Sequence, residues 1–208
     1  MMLRRRELML ATATGPVIPA GFTELAYIES SGSQYAIADV QLTSKTDIVS
    51  ATFACTNGVL YPDMAIIGGS IATFGVAIGS MSREWPYTQK PVMGYVGYRG
   101  ATGGLATLNE FVSATVNAAT FTLEYNGQTF PIEQTNRDIS DNTYIICNGR
   151  IKVKFAEIMG KGLYKSVKRD ADGVVGFYNL LTGAFCTNAG TGTFGYETLD
   201  GVYTAPQS

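Results

Sequence analysis

The chain has 208 residues, 46% hydrophobic and 15% charged, with a net charge of −2 and no histidine. That balance excludes a disordered chain and excludes bulk attraction to nucleic acid or to an anionic membrane. The missing imidazole removes the usual general base, the commonest zinc ligand and the usual pH switch.

Residues 1–14 start basic, at Arg4, Arg5 and Arg6, and continue into a short apolar run at Leu8, Met9 and Leu10. Glu7 interrupts the run, which is too short for an export signal or a membrane span. The segment reads either as a solvated tail or as a docking arm. In the second case Leu3, Leu8, Met9 and Leu10 are its apolar anchors and the three arginines its charge contacts. Pro16 and Pro19 mark an extended linker. The expected organisation is an arm and linker at 1–20, one domain at 21–195 and a tail at 196–208.

Within the domain the runs alternate or are short and Gly-punctuated, as strands are. Strands are expected at 25–29, 34–40, 47–55, 65–69, 74–78 and 94–98. Glycine inside a strand marks a bulge or a close backbone approach. Residues 105–116 are the one stretch with room for a turn or two of helix. The clearest local signal spans 120–132, where Asn126-Gly127 separates two alternating runs. This dipeptide suits a type I′ turn, which needs φ > 0 at both central positions. A two-residue turn there pairs Leu123 with Phe130 and Phe121 with Ile132, and puts all four on the core face. Further strands are expected at 143–147, and at 151–155 with Ile151, Val153 and Phe155 inward and Lys152 and Lys154 outward. Residues 174–187 read as a closing hairpin, and 193–194 as a last short strand. Strands at this spacing, with 24 glycines and 22 Tyr plus Phe, indicate an all-β sandwich or barrel.

Candidate sites are few. Cys55, Cys147 and Cys186 form no C-x-x-C pair and read as reduced core residues. Trp85, Tyr87, Tyr95, Tyr98 and Arg99 make the densest aromatic group. Subunit interface, core packing and glycan stacking compete for it, in that order. Asp170 and Asp172 offer oxygens to a calcium ion, although turn chemistry at Asp172-Gly173 is the favoured reading, and no metal or cofactor is expected. Seven bases lie between Arg150 and Arg169 with Glu157 as the only acid, which reads as a solvated face or a subunit contact. Retaining glycosidases need two carboxyls close together on one strand face. Glu24 and Glu29 differ by an odd number and Glu197 and Asp200 fall in the expected tail, so no catalytic residue is assigned.

Three segments carry a resemblance. IPAGFTELAYIESSGSQY at 18–35 resembles the opening of a concanavalin A-like, laminin-G-type jelly-roll family found in phages and prophages of gut bacteria and on the surfaces of those bacteria. DGVVGFY at 172–178 and TGAFCTNAGTGTF at 182–194 are similar to its closing strands. IIGGS at 66–70, FGV at 74–76 and GRIKVKF at 149–155 fall in the expected order. The chain departs from the family at Ser166-Val167, where a Pro-Cys pair is common, at Asn179, where Asp is common, and at Cys186, where Tyr is common. The resemblance implies an antiparallel jelly-roll β-sandwich with a short N-terminal arm. It also implies a non-enzymatic virion protein: a head or tail fibre or a decoration subunit assembled in the host cytoplasm. Expected partners are capsid, portal or tail proteins, further copies of the chain in a homo-oligomer, and a host-surface glycan, with no nucleic acid and no membrane insertion. The alternative is a carbohydrate-binding adhesion module of a bacterial surface protein.

Overall fold

A computed structural model of the chain describes residues 17–42, 46–56, 64–69, 76–80, 89–96, 99–133, 143–147 and 150–207. Every regular element among these residues is a strand: β1 (Phe22–Glu29), β2 (Ala36–Ile37), β3 (Ile48–Cys55), β4 (Met64–Gly68), β5 (Val76–Ser80), β6 (Gln89–Val96), β7 (Arg99–Thr107), β8 (Val112–Asn117), β9 (Thr122–Tyr125), β10 (Gln128–Pro131), β11 (Tyr144–Cys147), β12 (Ile151–Ile158), β13 (Gly162–Arg169), β14 (Val175–Asn179), β15 (Phe185–Thr187), β16 (Gly195–Thr198) and β17 (Tyr203–Thr204). The larger sheet runs β10-β9-β8-β3-β12-β1-β13-β14-β15, with β16 paired to β1 and β17 to β16. The smaller runs β2-β11-β4-β5-β6-β7. The pairings in both sheets are antiparallel.

The two sheets stack face to face in a sandwich-like arrangement. One core draws Ile28, Phe53 and Val153 from the larger sheet and Ile67, Ile78 and Val92 from the smaller, all fully buried. The layers come close together at Gly94 of β6. A Cβ there would lie 2.6 Å from Val116 Cγ2 and 3.0 Å from Leu123 Cβ, so the absent side chain is what lets the sheets approach.

The 120–132 hairpin forms as its residues dictate. Asn126 and Gly127 sit at φ 50° and 71°, both in the left-handed region. Phe130 pairs with Leu123, and the Ile132 amide donates to the Phe121 carbonyl at 2.7 Å. Leu123 and Ile132 are buried, with Phe121 and Phe130 packed against the same core.

Four expectations are corrected. Residues 105–116 hold no helix; they are the end of β7, a turn at 108–109 and β8. The strand expected at 34–40 is limited to Ala36–Ile37. Phe155 does not point inward. The β12–β3 register shifts between Val153 and Phe155, and this bulge reverses the parity, so that Ala156 and Ile158 are buried in its place. Residues 196–207 are not a loose tail. Tyr196 pairs with Ile28 of β1 and with Thr204, while Thr193 and Gln207 exchange backbone hydrogen bonds at 2.9 and 3.1 Å.

The first strand is wedged into a later hairpin. Strands β12 and β13 pair from Phe155–Ile158 to Gly162–Lys165, then part. Into the fork goes β1, with Ile28 opposite Val153 on one side and Phe22, Thr23 and Glu24 opposite Arg169, Lys168 and Val167 on the other. At the fork the buried Ser166 hydroxyl donates to the Val153 carbonyl at 2.8 Å, replacing a ladder bond the separated strands no longer make.

Candidate binding surfaces

The sequence-derived candidates fall mostly outside the described residues. The docking-arm residues Leu3 to Leu10 lie there, as do Trp85, Tyr87 and Tyr98. Of that aromatic group, Tyr95 is on β6 opposite Ala77 and Gly100, and Arg99 is on β7 opposite Val96.

The seven bases are all engaged. Arg150 Nε donates to the Ser31 carbonyl at 2.9 Å. Lys161 pairs with Asp47 at 2.7 Å, Lys165 with Glu24 at 3.0 Å, and Arg169 with Asp172 at 2.7 Å. Lys152, Lys154, Lys168 and Arg169 stand over the rings of Tyr27, Phe111, Tyr196 and Phe185, between 4.0 and 5.5 Å from the centroids. Each such contact is worth about 0.5–1 kcal/mol at an exposed site. The bases are therefore ring caps and strand ties. Sequence spacing could not reveal this, because the rings come from other parts of the chain.

Acids on the same half of the sheet are tied as well. Tyr27 donates to Glu197 and Tyr203 to Glu29, each at 2.9 Å. Burial, and then the carboxylate each one faces, raise both phenols, that of Tyr203 to about 12. Asp172 accepts two hydrogen bonds from Arg169 and one from the Val174 amide, and Asp170 accepts from Thr23. The turn chemistry at 170–173 thus uses the oxygens a calcium ion would need. No cluster of three metal-ligating side chains occurs among the described residues.

A dense polar constellation around Asp39 carries no signal in the sequence. The Asp39 carboxylate accepts from Tyr164 Oη at 2.8 Å, from Asn179 Nδ2 at 3.0 and 3.2 Å, and from Thr182 Oγ1 at 2.5 Å, with Cys186 Sγ at 3.8 Å. Tyr164 and Asn179 are fully buried. Burial alone would raise the Asp39 carboxyl, but the bonds from Thr182, Asn179 and Tyr164 outweigh it and hold the group below its usual range. Burial pushes the Cys186 thiol up to about 11, so it is a packed thiol and not a nucleophile. The knot ties the segment after β2, in the smaller sheet, to β13, β14 and β15 in the larger. An Asp at 179 would set two carboxylates against each other.

The other half of the outer face is built from hydroxyls. Ser50 and Thr115 are cross-strand partners with oxygens 3.0 Å apart, and Thr52 and Ser113 repeat the pair at 2.8 Å. The row continues through Glu124 and Thr129. A shallow groove of 260 Å³ runs along these strands beside Asn126-Gly127.

A larger cleft of 520 Å³ opens at the far end of the larger sheet. Its walls are the 172–175 turn, the end of β15 with its loop to residue 193, and the β16–β17 hairpin. The expectation of a tail at 196–208 hid it, since β16 and β17 supply one wall. Comparison with protein-family models, with curated proteins and with solved structures returned no match to this chain.

Proposed function

We propose that the chain is a non-enzymatic structural subunit of a bacteriophage particle, a head or tail fibre or decoration protein. Its sandwich is of the concanavalin A-like jelly-roll class. Residues 3–10 dock it onto capsid, portal or tail proteins, and it assembles as a symmetric homo-oligomer. The phage setting rests on the resemblance of 18–35 and 172–194 to that family.

The observation that carries a structural reading is the use of the carboxylates. Glu24, Glu29, Asp39, Asp47 and Glu197 each accept from a side chain of another strand or turn, so each holds two pieces of chain together. A glycosidase acid is kept protonated by its surroundings. Asp39, which accepts from Tyr164, Asn179 and Thr182, is pushed the opposite way.

The test is particle incorporation. Protein lacking residues 1–14 is expected to fold and to be missing from purified particles. Normal incorporation of the truncated protein would remove the arm from the account. Turnover of a β-glucan, abolished by one Glu or Asp substitution, would replace the structural reading with a catalytic one.

A further inference from the structure

We infer that the tip of the β16–β17 hairpin is the resting seat of this chain's own N-terminal arm, with Leu8, Met9 and Leu10 packed on Leu199, Val202 and Tyr203 of the same copy. The contact itself does not require that the chain belong to a particle.

The tip is apolar where a turn is ordinarily polar. Leu199, Val202 and Tyr203 are 69%, 59% and 49% exposed. They are nevertheless carried on a fixed turn. The Thr198 amide donates to the Val202 carbonyl at 3.0 Å, the Val202 amide to Thr198 Oγ1 at 2.9 Å, and the Gly201 amide to the Thr198 carbonyl at 3.0 Å. Tyr203 is anchored by its hydroxyl on Glu29, which leaves half of the residue outside. An ordered apolar tip of this kind is a surface built for a partner.

Register places the tip beside the root of the arm. Strand β16 runs antiparallel to β1, from Gly195 opposite Glu29 to Thr198 opposite Leu25, so residues 199–202 continue toward the N-terminal end of β1. The chain enters at that same end, where the Gly21 carbonyl accepts from the Asp170 amide and the Pro19 carbonyl from the Phe22 amide. From Phe22 to Leu25 the strand advances about 10 Å, whereas the stretch from Leu10 to Val17 can span up to about 25 Å. The arm therefore reaches the tip of its own copy. A tether this short gives it a roughly millimolar effective concentration there, which favours the same copy over a neighbour.

Charge agrees with the apolar match. Arg4, Arg5 and Arg6 precede the apolar run of the arm. At the tip, the Asp200 carboxylate accepts from Thr198 Oγ1 and pairs with no base among the described residues. In the docking reading proposed above, the tip holds the arm until the particle displaces it, and that consequence alone rests on the reading.

Hydroxyl-radical footprinting of the full chain tests the contact, beside a chain lacking residues 1–14 and a Leu8→Asp/Met9→Asp/Leu10→Asp chain, with melting temperatures compared. Side-chain oxidation of Leu199, Val202 and Tyr203 is expected to rise at least about twofold in both variants, as it should when a mostly closed tethered contact is lost. Met159 and Leu181, exposed at the opposite end of β13, are the internal controls and are expected not to change. Protection of the tip in the full chain is expected to persist on dilution and in the monomer. The inference is overturned if the tip reacts equally in all three proteins, if Met159 and Leu181 rise with it, or if protection appears only in an oligomer, which would assign the tip to a second copy. Particle incorporation is scored separately, so that a truncated protein that still incorporates removes the docking role and leaves the contact standing.

Discussion

The two halves of the larger sheet are held by different means. In the half made of β3, β8, β9 and β10, three of the strands follow one another through short turns, and the outer-face contacts are neutral hydroxyl pairs such as Ser50 with Thr115. In the half made of β1, β12, β13, β14, β15 and β16, the strands come from both ends of the chain. Contacts there are charge-assisted or ring-capping, and several span most of the sequence, as Tyr27 with Glu197 and Lys165 with Glu24 do; Asp39, from the segment after β2, adds its bonds to Tyr164 and Asn179. The two kinds of tie differ in chemistry more than in reach, since Ser50 and Thr115 are 65 positions apart and Tyr27 and Glu197 are 170. Hydrogen bonds with an ionised partner are roughly twice as strong as neutral ones, so the closing half depends more on its side chains.

If this is right, the largest effects belong to the closing half. Asp39→Ala leaves the buried Tyr164 hydroxyl and Asn179 amide without their acceptor and is expected to cost about 1–3 kcal/mol in urea unfolding. Tyr164→Phe, which removes only one donor, is expected to cost less. The acid limb of stability sharpens the point. A carboxyl held below its ordinary 3.8 stabilises the fold fully above that value, and the stabilisation is lost as pH falls through the folded pKa. An Asp39→Asn protein should therefore show a flatter decline below about pH 4 than wild type. At the other limit the Cys186 thiol, raised from 9.0 to about 11, favours the fold below pH 9, and that contribution disappears between the two values. Labelling of Cys186 in the native protein, read by peptide mapping, should stay slow at pH 9 and reach the rate of a free thiol only after unfolding.

An intermediate effect is expected at the local turn. Gly127→Ala forces a side chain into φ 71° and should cost about 1 kcal/mol by thermal melting. The smallest effects belong to the hydroxyl pairs, where Ser50→Ala or Thr52→Val should each cost under about 0.5 kcal/mol. A hydroxyl variant that destabilises more than Asp39→Ala would break the contrast between the halves.

What was legible in the sequence was local. The 126–127 turn and the pairing of Leu123 with Phe130 follow from residues within ten positions of one another, and both appear as expected. So does the closing hairpin, where Phe177 pairs with Cys186. Phe155 was misassigned because a bulge shifts parity without changing composition. Residues 196–207 were misread because short polar strands with Gly and Pro carry no alternation of their own and take their shape from β1. The Asp39 knot joins residues up to 147 positions apart, so no local pattern announces it. The cleft was invisible for the same reason, since its walls meet only once β16 is in place.

The most direct measurement is hydrogen exchange read by mass spectrometry, corrected for intrinsic rates, at neutral pH and again on acidification toward pH 3. Peptides covering β13, β14 and β15 are predicted to lose protection before those covering β3, β8 and β9, and Asp39→Asn should remove the difference. Simultaneous loss in both halves, or earlier loss in β3, β8 and β9, would contradict the account.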